Sequence, residues 1–284
     1  MGLIPSSQAK DFMNEIKKYE PNNVLEWNDA KYYNDIKYIS NSMLKYINDS
    51  PEHFDAYIKY PAWRQQKQAY IDGRALHCYI LEFEEFDKRF WYIDDQAKCD
   101  EIGGAKPRAT KAYKEWKAQL INENIDKDQI SFEWYCDIKC IAEKLDKIPQ
   151  AVQLLENTKK EIAYWKKLEG FNCKCKVDAI NVGNYIVDLK GFKDVPNPYN
   201  FKREVNKYHL DRQAAFYCDI VGVNQFWFIN VEKTFPYTVG IYEVSGDTLD
   251  VGREKYKHLL NVHRNNLKNY DKEYVNNFCY FGSI

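Results

Sequence analysis

Residues 173–192 read CKCKVDAINVGNYIVDLKGF, and the fold turns on how this stretch is read. Two runs, KCKVDAI and NYIVDLK, alternate with period two on either side of a Val-Gly-Asn turn. That is the pattern of half-buried antiparallel strands. Gly183 supplies positive φ readily, so an odd-numbered loop centred on it sets Asp178 across from Asp188, with Cβ atoms about 5 Å apart. Lys176, Asp178 and Ile180 then share one face, as do Ile186, Asp188 and Lys190. A two-residue turn at Gly183–Asn184 would instead put the aspartates on opposite faces.

Like charges facing each other across a sheet are destabilising, and burying either without a counter-charge costs more. Three arrangements offset this: the carboxylates share a proton, neighbouring lysines neutralise them, or they hold a divalent cation. Hard oxygen ligands at this spacing suit Mg²⁺ or Mn²⁺. Lys190 is either a salt-bridge partner of these aspartates or, beside a cation, a group that positions water or stabilises charge on a phosphoryl oxygen.

Outward from the hairpin, EIAYWKK (161–167) reads as a preceding strand. Downstream, two prolines interrupt the chain before a helix through HLDRQAAFYCDIVG. NQFWFINVEK and YTVGIYEV read as a strand pair, and a helix over 247–268 closes the chain. Upstream, a helix starts after Ser40, breaks at Ser50-Pro51 and gives way to a second, and GRALHCYILEFEEF has helical spacing. Residues 94–112 are expected to be a flexible basic loop, followed by a helical insertion around 110–157. The order of elements predicts an α/β sheet with helices on both faces, in one domain over 38–284 after a lead-in at 1–37.

The chain has 284 residues, 45% hydrophobic and 16% aromatic, ample for a core of that size. A net charge of -1 excludes a bulk polycation, so any nucleic-acid contact needs locally concentrated basic residues. No apolar run approaches the roughly 20 residues of a membrane span, and the N-terminus lacks a signal-peptide core. A cytoplasmic protein is expected. Eight cysteines without a CxxC pair point to free thiols rather than a disulfide framework or a zinc ribbon.

The hairpin's D-x9-D-x-K, the helix Gly73-Arg74-Ala75-Leu76-His77 and the helix Gln213-Ala214-Ala215-Phe216-Tyr217 occur in one order. Together they resemble the PD-(D/E)XK nuclease superfamily, in the branch with RecB, lambda exonuclease and RecE (exonuclease VIII), whose GxxxH and QxxxY helices they match. ISNSMLKYINDSPEHF, LHCYILE and RATKAYKEW are similar to RecE-type phage exonucleases, and the likeness runs over about 38–230. It implies a restriction-endonuclease-like core, a central mixed β-sheet flanked by helices, with N-terminal helical additions.

Position by position, the resemblance implies that His77, Asp178 and Asp188 bind Mg²⁺, with Mn²⁺ able to substitute and the Leu189 carbonyl a further ligand. Lys190 would serve the catalytic water, and Gln213 and Tyr217 would support the site or touch DNA. Glu161 stands at the start of the first strand, where this branch often has an acidic residue. Arg74, Arg108, Lys111, Lys193 and Arg212 would meet the DNA backbone. Gly191 departs from the Thr or Ser that usually follows DLK, and Cys279 alone cannot supply the cysteine cluster of iron–sulfur relatives. The implied activity is Mg²⁺-dependent 5′-to-3′ digestion of linear double-stranded DNA by a ring-shaped homo-oligomer, leaving 3′ overhangs for a single-strand annealing protein. The alternatives are an endonuclease of restriction or repair type and an inactive DNA-binding module.

Overall fold

The structure, a computed structural model, describes residues 23–60 and 68–268. Six strands form one sheet: β1 (Val24–Leu25), β4 (Lys159–Leu168), β5 (Phe171–Asn181), β6 (Tyr185–Phe192), β7 (Gln225–Glu232) and β8 (Val239–Glu243), side by side in that order. Every neighbouring pair is antiparallel except β6 and β7, which run parallel. Parallel neighbours require a crossover, made here by α10 (Pro198–Tyr208) and α11 (Leu210–Val221). A separate ribbon pairs β2 (Phe90–Trp91) with β3 (Asp128–Gln129). The molecule is a mixed α/β fold of the restriction-endonuclease-like type, as the sequence predicts.

Period-two alternation divides the sheet between two cores. Ile186 and Phe228 pack on one side with Met43 and Leu44 of α2 (Asn41–Asp49), Phe216 of α11 and Leu260 of α12 (Gly246–Lys268). Their neighbours Val187 and Ile229 pack on the other. There they meet Leu76 of α4 (Gln68–Leu81), Ile138 and Ile141 of α8 (Phe132–Leu145) and Ala151 of α9 (Pro149–Leu155). The smaller helices α1 (Asp29–Asn34), α3 (Pro51–Lys59), α5 (Phe86–Arg89), α6 (Gln96–Ile102) and α7 (Lys111–Glu123) complete the chain.

Three elements differ from the sequence expectation. The segment read as interrupted by prolines contains α10: Asn197 accepts the Asn200 N–H at 2.9 Å and Pro198 occupies the first turn. A missing N–H costs nothing at that position. The stretch 94–112, expected to be a flexible loop, opens with α6 and is tied back where Arg108 grips Asp95. The lead-in, expected to be a helix and an irregular stretch, holds α1 and also contributes β1, which pairs with β4 at the sheet edge. Residues 1–22 and 269–284, Cys279 among them, lie outside the described residues. Among the described residues, no helix is long and apolar enough to cross a membrane, and seven cysteines are free thiols.

Candidate active site

The hairpin closes through a three-residue turn with Gly183 at φ 81°, in the register Asn181↔Tyr185, Ile180↔Ile186, Ala179↔Val187. The next step would pair Asp178 with Asp188, and there the ladder stops. The Asp178 carboxylate accepts the Leu189 N–H at 2.8 Å instead. On the other side of β5, Lys160↔Ala179 and Ile162↔Val177 leave Glu161 opposite Asp178, and Glu161 sits at φ 54°. A non-glycine residue there stores on the order of 1–3 kcal/mol and persists only where its surroundings hold it. Lys176 Nζ, 2.6 Å from Glu161 Oε2, is part of what holds it.

This corrects the expectation that Lys176, Asp178 and Ile180 share one face. Cys173, Cys175 and Val177 enter the first core, and so does Ile180, while Ala179 enters the second. The alternation therefore slips across Asp178, where both flanking ladders open and its carboxylate takes the Leu189 N–H.

From α4, His77 brings Nδ1 to 3.3 Å from Asp178 Oδ2. Ligand atoms of His77, Glu161 and Asp178 all lie within 4.8 Å of one another. The tight trio thus contains Glu161 where the sequence reading placed Asp188. Asp188 stands beside it, 2% exposed, with Oδ1 accepting from Gln213 Nε2 at 2.6 Å. Lys190 Nζ lies 2.6 Å from Asp188 Oδ2, so the ammonium pairs with the oxygen that Gln213 leaves open. All six of these side chains line one cleft of about 580 Å³. Tyr217, one turn beyond Gln213, is half-buried on its wall. Leu189 buries its side chain in the second core.

Burial pushes the Asp188 carboxyl up to about 6, with Lys190 opposing the rise and Asp178 adding to it. Burial and the Asp178 charge likewise raise Glu161 against the pull of Lys176. Burial works against ionisation of Asp178 too, but His77 and Lys190 outweigh it, and that carboxyl lies below its ordinary value. Burial also works against charge on His77 and on Lys190, and the facing carboxylates reverse it, so both titrate above their usual values. Three carboxylates face two ammonium groups here. Carboxylate oxygens gathered around an imidazole are the donor set that a divalent cation takes. The residues fit Mg²⁺ or Mn²⁺, with His77 engaged as the neutral imidazole.

Of the five basic residues expected to meet DNA, Arg74 lines the cleft, paired with Asp128 at 2.7 Å. Arg108 is exposed but held by Asp95, Lys111 lies 3.6 Å from Glu115 on α7, and Lys193 is exposed after β6. None of these three lines the cleft. Arg212 is a correction: 4% exposed, it donates to Asn41 Oδ1 at 3.0 Å as a buried tie between α11 and α2. Lys88, Arg89, Lys174 and Lys176 also line the cleft, and the sequence reading passed over them as binding residues. For Lys174 and Lys176 the signal was present in the CKCK alternation, where two cysteines face the core and leave the lysines elsewhere. Lys88 and Arg89 had none.

A family model described as a PDDEXK-like domain of unknown function matches residues 40–274. Among solved structures, a "Putative exonuclease" from Eubacterium rectale is similar over 92% of this chain and 96% of its own, with a TM-score of 0.58 and 15% identity. At that identity the likeness is one of fold. The protein SSO0001 covers 75% of this chain and 96% of its own at 14% identity, with a TM-score of only 0.29. No curated protein matches the sequence.

Proposed function

Because the chain belongs to the family of PDDEXK-like domains, we propose that it is a metal-dependent deoxyribonuclease, an exonuclease acting on ends of linear double-stranded DNA. The observation that carries this reading is the cluster of His77, Glu161 and Asp178 beside the Asp188–Lys190 pair, in one cleft. His77, Glu161 and Asp178 would hold Mg²⁺, with Asp188 and the Leu189 carbonyl adjacent. Mg²⁺ there supplies Lewis-acid polarisation of a phosphoryl oxygen and acidifies water for attack.

The protein's own groups supply the rest. Lys190 keeps its proton because Asp188 and Asp178 outweigh the effect of burial. It therefore acts as a donor, aligning the nucleophile or stabilising phosphoryl charge, rather than as a base. Gln213 fixes the Asp188 carboxylate, and Leu189 N–H fixes Asp178. Arg74, which lines the cleft wall, would meet phosphate. Digestion from 5′ ends, 3′ overhangs for an annealing protein and a ring-shaped homo-oligomer follow from the resemblance to RecE-type enzymes.

The test uses 5′-labelled, 3′-labelled and circular duplex, with and without Mg²⁺. Mg²⁺-dependent release of the 5′ label first, with circles intact, is the expected result. Cutting of circles would replace the exonuclease by an endonuclease, and activity surviving both Asp178→Ala and Asp188→Ala would end the reading. Sedimentation of the purified chain tests the ring.

A further inference from the structure

Gly191 follows Lys190 on β6 and pairs with Val231 on β7. A Cβ at this position would lie 2.9 Å from Leu76 Cδ2 and 2.8 Å from Lys233 Cε. Real Cβ atoms do not come so close, so both of these neighbours would have to move. Lys233 is a long side chain whose end can swing aside. Leu76 is fully enclosed in the second core against Leu189 and Val231. Close-packed interiors leave such a side chain nowhere to go, so it moves only with its helix. The next residue on that helix is His77.

We propose that Gly191 is a positioning residue for the metal centre: lacking a Cβ, it lets α4 seat against β6 closely enough to bring His77 to Asp178 and Glu161. This rests on the metal-nuclease reading and deepens it. The glycine inside α4 does not serve the same end, because a Cβ at Gly73 would meet nothing within 4 Å. The close approach is therefore made possible from the strand rather than from the helix. A serine or threonine at 191 would meet the same two atoms as an alanine.

The experiment titrates Mn²⁺ into the full chain and follows loss of the free-ion signal by electron paramagnetic resonance. It compares wild type, Gly191→Ala, Leu76→Val and the double variant, with thermal melts checking that each folds. Disturbing a group that orients a metal ligand lowers affinity about 10–100-fold, and that loss is expected for Gly191→Ala. Shortening Leu76 removes the atom the new methyl strikes, so the double variant should bind within about threefold of Leu76→Val, the scatter expected of context-dependent effects. A merely destabilising change would not be rescued by a second core truncation. A folded Gly191→Ala that binds as wild type does, or a double variant as weak as Gly191→Ala, overturns the proposal. If Gly191→Ala does not fold, the double variant decides: near Leu76→Val supports it, and tenfold weaker overturns it. Wild type that takes up no Mn²⁺ would instead remove the metal-nuclease reading itself.

Discussion

Asp95 and Asp188 are both carboxylates beside a cation, and the molecule treats them in opposite ways. At the surface, two Arg108 N–H groups reach the Asp95 oxygens at 2.7 Å each, and the Tyr113 hydroxyl adds a third donor at 2.6 Å. In the cleft, Asp188 meets Gln213 at 2.6 Å on one oxygen and the Lys190 ammonium at 2.6 Å on the other, with two further carboxylates nearby. The Arg108 guanidinium and Tyr113 hold the Asp95 carboxyl well below the usual carboxylate range, whereas burial pushes Asp188 up to about 6. The surface turn is complete with the groups it has. The cleft gathers three carboxylates about one imidazole, and perturbed groups of that kind are tolerated where something else is to be bound.

The sharpest way to break this contrast is to remove a cleft carboxylate without changing its shape. Asp178→Asn and Asp188→Asn should each lower nuclease activity by about a thousandfold, since several kcal/mol of transition-state charge stabilisation are at stake. Metal-free Asp188→Asn should melt no lower than wild type, because burial already works against that charge, whereas Asp178→Asn should melt slightly lower, because His77 and Lys190 hold that carboxyl below its ordinary value. Mg²⁺ should raise the melting temperature of wild type and not of Asp178→Asn, by the linkage between ligand binding and stability. A metal-free variant less stable by about 3 kcal/mol, the loss seen when a buried pair is broken, would show these carboxylates to be structural, like Asp95.

Lys190→Met comes next. Removing a donor aimed at developing charge costs about 10²–10³ in turnover, and here it also strips Asp188 of its counter-charge. Activity and metal-free melting temperature should therefore fall together, which distinguishes this variant from Asp188→Asn. Gln213→Ala should lower turnover about 10–100-fold, the range for a group that orients an active carboxylate, with a smaller effect on KM. If KM rises and turnover holds, Gln213 is a DNA contact instead.

The same contrast explains what could be read from the sequence. The strands were legible because alternation and the Gly183 turn fix register locally, and that register holds through Ala179↔Val187. The slip of faces at Asp178 was not, because in KCKVDAI only the adjacent apolar pair Ala179-Ile180 departs from alternation. It arises from the neighbouring strand, where Glu161 takes φ 54°. For the same reason Glu161 read as one acid among several at a strand opening, although the structure brings it into the trio. Pro198 was read as a breaker because its role as the first residue of α10 depends on Asn197 serving as the cap. Arg212 looked like a surface cation because nothing local to α11 reveals that Asn41, 171 positions away, receives it. Local patterns expose local geometry. Charges whose partners arrive from distant elements stay hidden until the chain is folded.

The smallest expected effect tests the other side of the contrast. Arg108→Ala should leave nuclease activity unchanged and lower the melting temperature only slightly at neutral pH, since exposed ion pairs contribute little. The sign with pH follows from Asp95. Its folded-state carboxyl titrates below the unfolded value of about 3.9, so its stabilising contribution is complete above that pH and is lost as pH falls towards the folded value. The difference in melting temperature between Arg108→Ala and wild type should therefore be constant from pH 7 to about pH 5 and shrink below about pH 4. A different outcome would redraw the molecule's basic surface. If Arg108→Ala instead binds DNA more weakly and its salt dependence flattens by about one counterion, as loss of a phosphate contact requires, then the Asp95 pair opens on DNA and Arg108 belongs with Arg74 on the binding face.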